Sequence, residues 1–497
     1  MENKKEDIQN VSNQPKSLKK LFGFDLISQI VSYLTPILTA PYVSRILQPN
    51  GIGQYSFANS IVSYFVMIVT FGFTNYGNKL ISSQRQNKEE YSSTFWKIIE
   101  SKTCLFVPTI IVYFLMLFLN VFGTNIDSKI YCSLSFFIFA AFLDITFLFR
   151  GLEKNDVLSL IHVITKIISV ICLFLFVKSS DDLLIYSVIQ AFQSFIASLL
   201  MWIFCCKFVG RPKKENIKFF RTLRESFFYF LPTIALSIYS YADKTMIGVF
   251  CTTQDVGYYE EANKIIQMVI SVIITIGPIM LTRMSLLYKL KDDEGIKQNI
   301  NKLFHFYSLV SFPAICGLYC IGRFLIPAFF GEEYISSINI MYCLIPLIII
   351  SPISNFLSMS FYMPTEQVNK TTIFYFIGSI INVAINFPLI IFYGAKGAAI
   401  ASIISELIVA SCFVFFSRKK IDYISLIKQM QKPALSALCM SLVLVPLSFV
   451  FSFFTSLNNI FITIILFCIG TLIYLICCLL FNDSFMSEII HKIRLKK

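Results

Sequence analysis

The chain has 497 residues, of which 56% are hydrophobic and 14% are charged, and its mean hydropathy is +0.70. This is more apolar surface than one soluble core can bury, so the composition excludes a soluble globular protein and indicates an integral membrane protein. The net charge of +13 does not indicate nucleic-acid binding, because the basic residues are scattered between apolar segments.

Apolar runs of about 20 residues without a period-2 alternation predict spanning helices, since a bilayer core of roughly 30 Å needs about 20 helical residues. The segment 1–20 is polar and lysine-rich, so it predicts a cytoplasmic tail and not a secretory signal. The predicted fold class is all-α with about 14 transmembrane helices, at 26–47, 54–75, 103–122, 131–150, 156–177, 183–205, 227–250, 257–281, 305–327, 338–360, 371–393, 397–417, 433–453 and 458–481.

The distribution of Lys and Arg supports this count, because one wrongly inserted helix would invert every later connection. With the N-terminus inside, 34 of the 42 basic residues fall on the inner side and only four on the outer side. We therefore expect a multi-pass protein of the plasma membrane with both termini cytoplasmic. The short connections leave no room for an extramembrane catalytic domain.

Fourteen cysteines and three histidines predict neither a disulfide framework nor a zinc site. The cysteines lie mostly inside apolar segments and form no metal-type CxxC pair. We expect no metal, no cofactor, no catalytic residues and no nucleic-acid partner.

One short stretch occurs twice. Residues 51–61 read GIGQYSFANSI, and residues 255–265, 204 positions later, read DVGYYEEANKI, with five identities in eleven. Both copies fall at the outer turn and second helix of a six-helix set. This predicts a parallel duplication. We expect the glycines of each copy to allow a tight turn into the helix and the tyrosines to anchor at the interface.

The duplication predicts three sections of the chain. Residues 1–220 form an N-terminal lobe with a cytoplasmic tail and helices 1 to 6, and 221–430 form a C-terminal lobe with helices 7 to 12. Residues 431–497 carry helices 13 and 14 and a second tail. The basic linker 207–224 lies between the two lobes.

Short motifs occur in order along most of the chain. They are Arg45–Tyr55 (RILQPNGIGQY), Tyr76–Lys79 (YGNK), Asp144 with Phe149–Glu153 (FRGLE), Pro232, Asp243–Lys244, Val256–Tyr259, Gly378 with Asn382 and Asn386, and Tyr393–Ala399 (YGAKGAA). Together they resemble the polysaccharide flippases of the multidrug/oligosaccharidyl-lipid/polysaccharide exporter superfamily. Many relatives have Gln where this chain has Arg150, so a role at that position does not carry over.

The resemblance implies a V-shaped pair of six-helix bundles around a central cavity, with two further C-terminal helices. It also implies a flippase that moves a lipid-pyrophosphate-linked oligosaccharide from the inner to the outer leaflet by alternating access. The product serves capsule, exopolysaccharide or O-antigen synthesis. The implied partners are this substrate, membrane lipids, a polysaccharide polymerase and glycosyltransferases.

An anionic head group needs cationic side chains facing an internal cavity while it crosses. Lys166 is the leading candidate, because it lies about ten residues, or roughly 15 Å, into its helix, near the middle of the core. An unpaired lysine there is unfavourable by about 2.5–3.5 kcal/mol, so it should face protein or water. His162 lies one turn earlier on the same face. We predict a polar cavity lining, with a buried ion pair as the alternative.

Other candidates each have a structural alternative. Arg323 is near enough to the outer interface to snorkel, and Lys264 follows Glu260 by four residues, which predicts a helical ion pair. The remaining candidate substrate contacts are Asp243, Lys244 and Arg45, for which cavity contact, helix pairing and interfacial anchoring stay open.

Two acids lie in otherwise apolar helices. Asp144 and Glu406 are candidates for coupling transport to protons or sodium, with lobe structure as the alternative. Asn382 and Asn386 share a face with Gly378, a pattern typical of helix packing.

Several other functions stay open. A multidrug exporter of the same fold would need acidic cavity walls for cationic drugs, whereas the deepest ionisable residue is Lys166. A peptidoglycan-precursor flippase shares the predicted architecture. A membrane glycosyltransferase or polymerase would need an outer catalytic loop, and a scaffold would not need charge in the middle of the membrane.

Overall fold

The computed structural model describes residues 16–123, 126–211, 219–453 and 458–483. The described residues form helices joined by short turns, which confirms the predicted all-helical class. The helices are α1 (Lys16–Thr70), α2 (Phe73–Gln84), α3 (Lys88–Phe118), α4 (Ser128–Leu143), α5 (Thr146–Gly151), α6 (Asn155–Phe176), α7 (Leu183–Phe208), α8 (Phe219–Phe250), α9 (Thr253–Ile274), α10 (Gly277–Leu290), α11 (Asp293–Phe330), α12 (Ile335–Leu344), α13 (Leu347–Leu357), α14 (Val368–Tyr393), α15 (Ala395–Ser417), α16 (Tyr423–Phe451) and α17 (Asn459–Leu480).

The number of membrane crossings differs from the prediction. Within the described ranges, 11 helical segments are long and apolar enough to span a bilayer, or 12 if the bent pair Glu332–Leu344 and Leu347–Tyr362 is one span. The predicted count of fourteen is therefore not confirmed. One segment, Leu34–Gln84, has 51 residues, or about 75 Å of helix, more than twice the thickness of a bilayer core. It contains predicted helix 2 and residues 34–47 of predicted helix 1. Phe219–Phe250, which contains predicted helix 7, is helical but is not among the 11.

Two predicted helix boundaries are wrong. Helix α3 begins at Lys88 and not at 103, because the Asn87 side chain caps it by accepting from the backbone N–H groups of Glu89 and Glu90. The predicted helix 131–150 is broken at Asp144, whose Oδ1 accepts a hydrogen bond from the backbone N of Thr146 at 2.8 Å. An aspartate that bonds the backbone two residues ahead favours a break over a continuous helix.

The chain contains two compact units. Unit 1 comprises Met1–Leu47 and Ala58–Ser237, and unit 2 comprises Gln48–Phe57 and Ile238–Lys497. The predicted sections 1–220, 221–430 and 431–497 stay predictions.

Each unit has its own apolar core. In unit 1, Phe73, Phe95 and Phe147 are fully buried among α2, α3 and α5. In unit 2, α16 and α17 pack on α11, where Leu444 and Leu466 are fully buried.

The two copies of the repeated stretch pack against each other within unit 2. A methyl group at Gly53 would overlap the backbone carbonyl of Thr253, and one at Gly257 would overlap the carbonyl of Pro49. Both glycines lie inside helices, so the prediction that they form tight turns is wrong. The bare Cα positions instead let two helix backbones approach closely.

The repeated tyrosines also differ from the prediction. Tyr259 is 2% exposed and donates its hydroxyl hydrogen to Asp243, so it does not anchor at the membrane interface. Tyr55 is half-buried at the matching place in the first copy. The second copy therefore carries its tyrosine into the interior of unit 2.

Candidate functional site

A buried carboxylate, that of Asp243 on α8, joins four helices of unit 2. Its Oδ2 accepts hydrogen bonds from the hydroxyl groups of Tyr259 on α9 and Ser402 on α15, both at 2.5 Å. Its Oδ1 accepts from Nδ2 of Asn386 on α14 at 2.6 Å. Asp243 is only 5% exposed. Because bonds to a charged acceptor are stronger than neutral ones, this carboxylate acts as a joint between helices.

The amide stripe on α14 completes this network. Asn386 also donates to Oδ1 of Asn382 at 3.0 Å, and both asparagines are fully buried. A side chain at Gly378, one turn before Asn382, would overlap Val409 of α15. The prediction that this stripe serves helix packing is confirmed.

The two candidate lysines of unit 2, Lys244 and Lys264, are both paired with glutamates. Lys244 Nζ lies 2.5 Å from Glu260 Oε2, and Lys264 Nζ lies 2.7 Å from Glu261 Oε1. Lys264 therefore forms its salt bridge with Glu261 and not with the predicted Glu260, although the Glu260 charge still acts on it. Glu261 is fully buried and lies one turn from Lys264, while Glu260 points toward the neighbouring helix, where Lys244 neutralises it.

Glu406 on α15 lies one turn beyond Ser402 and is 5% exposed. Its carboxyl group faces the hydroxyl groups of Tyr239, Ser351 and Ser354. Across the described residues, Glu406 forms no ion pair with a Lys, Arg or His. A buried carboxyl with hydroxyl partners and no countercharge can be neutralised by taking up a proton.

Unit 1 places Lys166 and His162 on one stripe of α6. Ser159 and Ser169 extend the stripe, as spacings of three and four residues dictate. Lys166 and His162 are half-buried, and the two serines are buried. Lys166 forms no ion pair with any residue that the structure describes.

The opposite face of α6 is apolar and exposed. It carries Leu160, Ile164, Ile167, Ile168 and Ile171, which are between 44% and 53% exposed. In a membrane this face suits lipid, and the polar stripe then faces protein or water. The predicted shared face of Lys166 and His162 is therefore observed, whereas its contact with cargo stays a prediction.

Sequence reasoning missed a buried lysine in unit 1. Lys102 on α3 is 1% exposed and donates from Nζ to the backbone carbonyl of Asp144 at 2.6 Å. It also interacts electrostatically with the Asp144 carboxylate. The capping signal at Asn87 could have revealed it, because a helix that begins at residue 88 contains Lys102. Asp144 therefore has a structural role at a helix break, beside a countercharge.

Both candidate arginines have exposed side chains. Arg45 on α1 is exposed, and Arg323 on α11 is exposed, with its guanidinium 5.3 Å from the ring centroid of Phe324. His162 interacts with the charges of Asp144, Arg150 and Lys166, so Asp144, His162 and Lys166 form one group around α6 in unit 1. Asp243, Lys244, Lys264 and Glu406 form a second group in unit 2.

Comparison with known proteins adds two family matches. Residues 18–281 match the model of a polysaccharide biosynthesis protein family, and residues 157–469 match the model of the lipid II flippase MurJ. A protein of Escherichia coli (strain K12) described as a candidate O-antigen transporter is 24% identical over 404 residues, which cover 81% of this chain and 97% of the relative. A protein of Shigella dysenteriae with the same description is 24% identical over 388 residues, or 76% and 94%.

Solved structures with a similar fold come from two transporter groups. The inward closed lipid II flippase MurJ matches with a TM-score of 0.72 and 20% identity, over 95% of this chain and 99% of that chain. An inward-facing multidrug resistance MATE transporter matches with a TM-score of 0.64 and 14% identity, over 80% and 95%. These likenesses establish the fold.

Proposed function

The chain belongs to the polysaccharide flippase family of the multidrug/oligosaccharidyl-lipid/polysaccharide exporter superfamily, and we propose that it moves a lipid-pyrophosphate-linked oligosaccharide from the inner to the outer leaflet. The observation that carries this proposal is the pair of O-antigen transporter relatives, which are matched over nearly their whole length. The product serves O-antigen, capsule or exopolysaccharide assembly.

The electrostatics of unit 1 support an anionic cargo. Lys166 is a half-buried cation without a described ion-pair partner, and His162 lies one turn away. A pyrophosphate group that leaves water needs replacement charges of this kind. We assign the head group of the cargo to this stripe. In unit 2 the cations Lys244 and Lys264 are already neutralised by glutamates.

We assign ion coupling, if transport uses a proton, to Glu406 and not to Asp144. Glu406 has hydroxyl neighbours and no described countercharge, whereas Asp144 caps a helix beside Lys102. Transport by alternating access, location in the plasma membrane, cytoplasmic termini, and cooperation with a polymerase and glycosyltransferases belong to the same proposal.

The function is tested by the leaflet in which the cargo accumulates. In cells that lack the gene, lipid-linked repeat units should accumulate where a membrane-impermeant oxidant does not reach them, and expression of the chain should make them accessible. Unchanged surface polymer together with altered drug resistance would contradict the proposal and favour a multidrug exporter.

The match to the lipid II flippase model over residues 157–469 favours one second candidate, a peptidoglycan-precursor flippase. The same cells distinguish it. Accumulation of peptidoglycan precursors, with normal surface polysaccharide, would identify that cargo.

A further inference from the structure

Unit 2 contains a cavity of about 660 Å³ that lies apart from the buried networks of Asp243 and Glu406. It forms where the end of α10, the first three turns of α11, the turn after Phe361 and the turn before α16 meet. Small-molecule sites in proteins occupy roughly 300–1,000 Å³, so the cavity can enclose a ligand of that size.

The rim of the cavity is cationic. Lys291, Lys297 and Lys420 line it, all three are exposed, and none forms an ion pair with a described residue. The two carboxylates of the lining belong to helix starts. Asp422 accepts a hydrogen bond from the backbone N of Ser425 at 3.2 Å, which caps α16, and Asp293 stands in the first turn of α11. The three lysines outnumber these two carboxylates, so the lining carries a net positive charge.

The floor of the cavity is apolar and aromatic. Phe361 and Ile421 are buried there, and the Phe361 ring lies 5.8 Å from Lys420 Nζ and 6.3 Å from the ring of Tyr288. Phe361 belongs to a π-helix, Ser358–Tyr362, that follows α13. Such segments are rare and frequently occur at functional sites.

We propose that this cavity binds a phosphate-bearing ligand, with the three lysines on the phosphate and the apolar floor under the rest of the molecule. Two sources supply this chemistry on the side of the membrane where Lys and Arg accumulate. One is the head group of an anionic phospholipid, for which basic pockets between membrane helices are suited. The other is a soluble phosphate compound such as a nucleoside diphosphate. The site goes beyond the proposed function, because it does not require the cargo.

Binding to the purified full-length protein in detergent tests the proposal. Phosphatidylglycerol is followed by native mass spectrometry against phosphatidylcholine as background, and uridine diphosphate is followed by calorimetry. The test variant is Lys291→Gln/Lys297→Gln/Lys420→Gln. The matched control, Lys289→Gln/Lys302→Gln/Lys419→Gln, removes three exposed lysines from the same segments but outside the cavity lining.

We expect the test variant to bind at least one probe about tenfold more weakly, while the control binds like the parent protein. Loss of phosphatidylglycerol binding alone identifies a lipid ligand, and loss of uridine diphosphate binding alone identifies a soluble one. The proposal is overturned if neither probe binds the parent protein above background, if the test variant binds both probes as the parent does, or if the test and control variants lose affinity equally. An unchanged thermal unfolding midpoint shows that both variants are folded.

Discussion

The two copies of the repeated stretch share a backbone contact and differ in chemistry. The helix of the first copy restarts after Gln48, whose dihedral angles are non-helical. The helix of the second copy starts after its cap Thr252, which lies 204 positions after Gln48, the same offset as that of the repeat. Gly53 lies against Thr253, one turn before Gly257, and Gly257 lies against Pro49, one turn before Gly53. The contact is thus reciprocal, and both copies contribute the same part of it.

The two ion pairs involve the second copy and the end of α8, and the same offset relates that end of α8 to the residues before Gln48. At the offset of 204, Ser56 corresponds to Glu260 and Ala40 corresponds to Lys244, the two members of one ion pair. Phe57 and Ser60 likewise correspond to Glu261 and Lys264, the members of the other. Since the first copy packs without these charges, close helix packing is the shared requirement. The ion pairs are a local addition that stabilises unit 2.

The largest loss of stability should follow from filling the shared contact. Gly257→Ala places a methyl group on the carbonyl of Pro49, and the expected cost is about 3 kcal/mol, because two helix backbones must separate. Gly53→Ala should cost a similar amount. Thermal unfolding of purified protein measures both. Gly317→Ala is the matched control, since its Cβ would meet nothing within 4 Å. A tolerated change at Gly53 alone would show that the packing is not reciprocal.

A smaller loss should follow from removal of the Asp243 carboxylate. Asp243→Ala leaves the donors of Tyr259, Asn386 and Ser402 without their acceptor, at a cost of about 2 kcal/mol. Thr39 corresponds to Asp243 at the offset of 204, and among the described residues its side chain bonds within its own helix, to Thr35 O at 2.9 Å. Thr39→Ala should therefore lower the unfolding midpoint much less. Equal shifts for the two variants would remove the distinction between the copies.

Replacing the Lys244–Glu260 ion pair by the residues found 204 positions earlier, Ala40 and Ser56, should lower the stability of the protein less still. Lys244→Ala alone leaves the Glu260 carboxylate without its nearest countercharge and should cost about 1 kcal/mol, since both side chains are partly exposed. The double variant Lys244→Ala/Glu260→Ser carries the residues of the first copy and should recover most of that loss. If the double variant is less stable than Lys244→Ala, the pair is more than an addition to the packing.

The elements of this fold could be predicted where the physics is local. The hydrophobic runs identify membrane helices because their length matches the bilayer, and a spacing of four residues places Lys166 and His162 on one face. The sequence also contains the signal for the start of α3, because Asn87 is a favourable cap and Glu89 and Glu90 follow in the first turn.

The partners of charged residues could not be predicted, because they depend on a neighbouring helix. Glu260 and Glu261 differ by about 100° around α9, and only the position of Lys244 on α8 decides which of them remains for Lys264. The repeat shows that Gly53 and Gly257 are equivalent positions, but glycine is equally suited to a tight turn and to close contact between two helix backbones. Only the approach of the two backbones distinguishes these roles.

The smallest effect on stability is expected at Lys166, which forms no ion pair with a described residue. Lys166→Ala removes a half-buried ammonium that contributes no salt bridge, so the unfolding midpoint should stay unchanged or rise. Export of surface polysaccharide should nevertheless fall roughly fivefold, the equivalent of about 1 kcal/mol of phosphate contact. Lys166→Arg should retain most export, and Lys178→Ala, at an exposed lysine just beyond α6, should have no effect. Normal export by Lys166→Ala would remove Lys166 from the proposed cargo site.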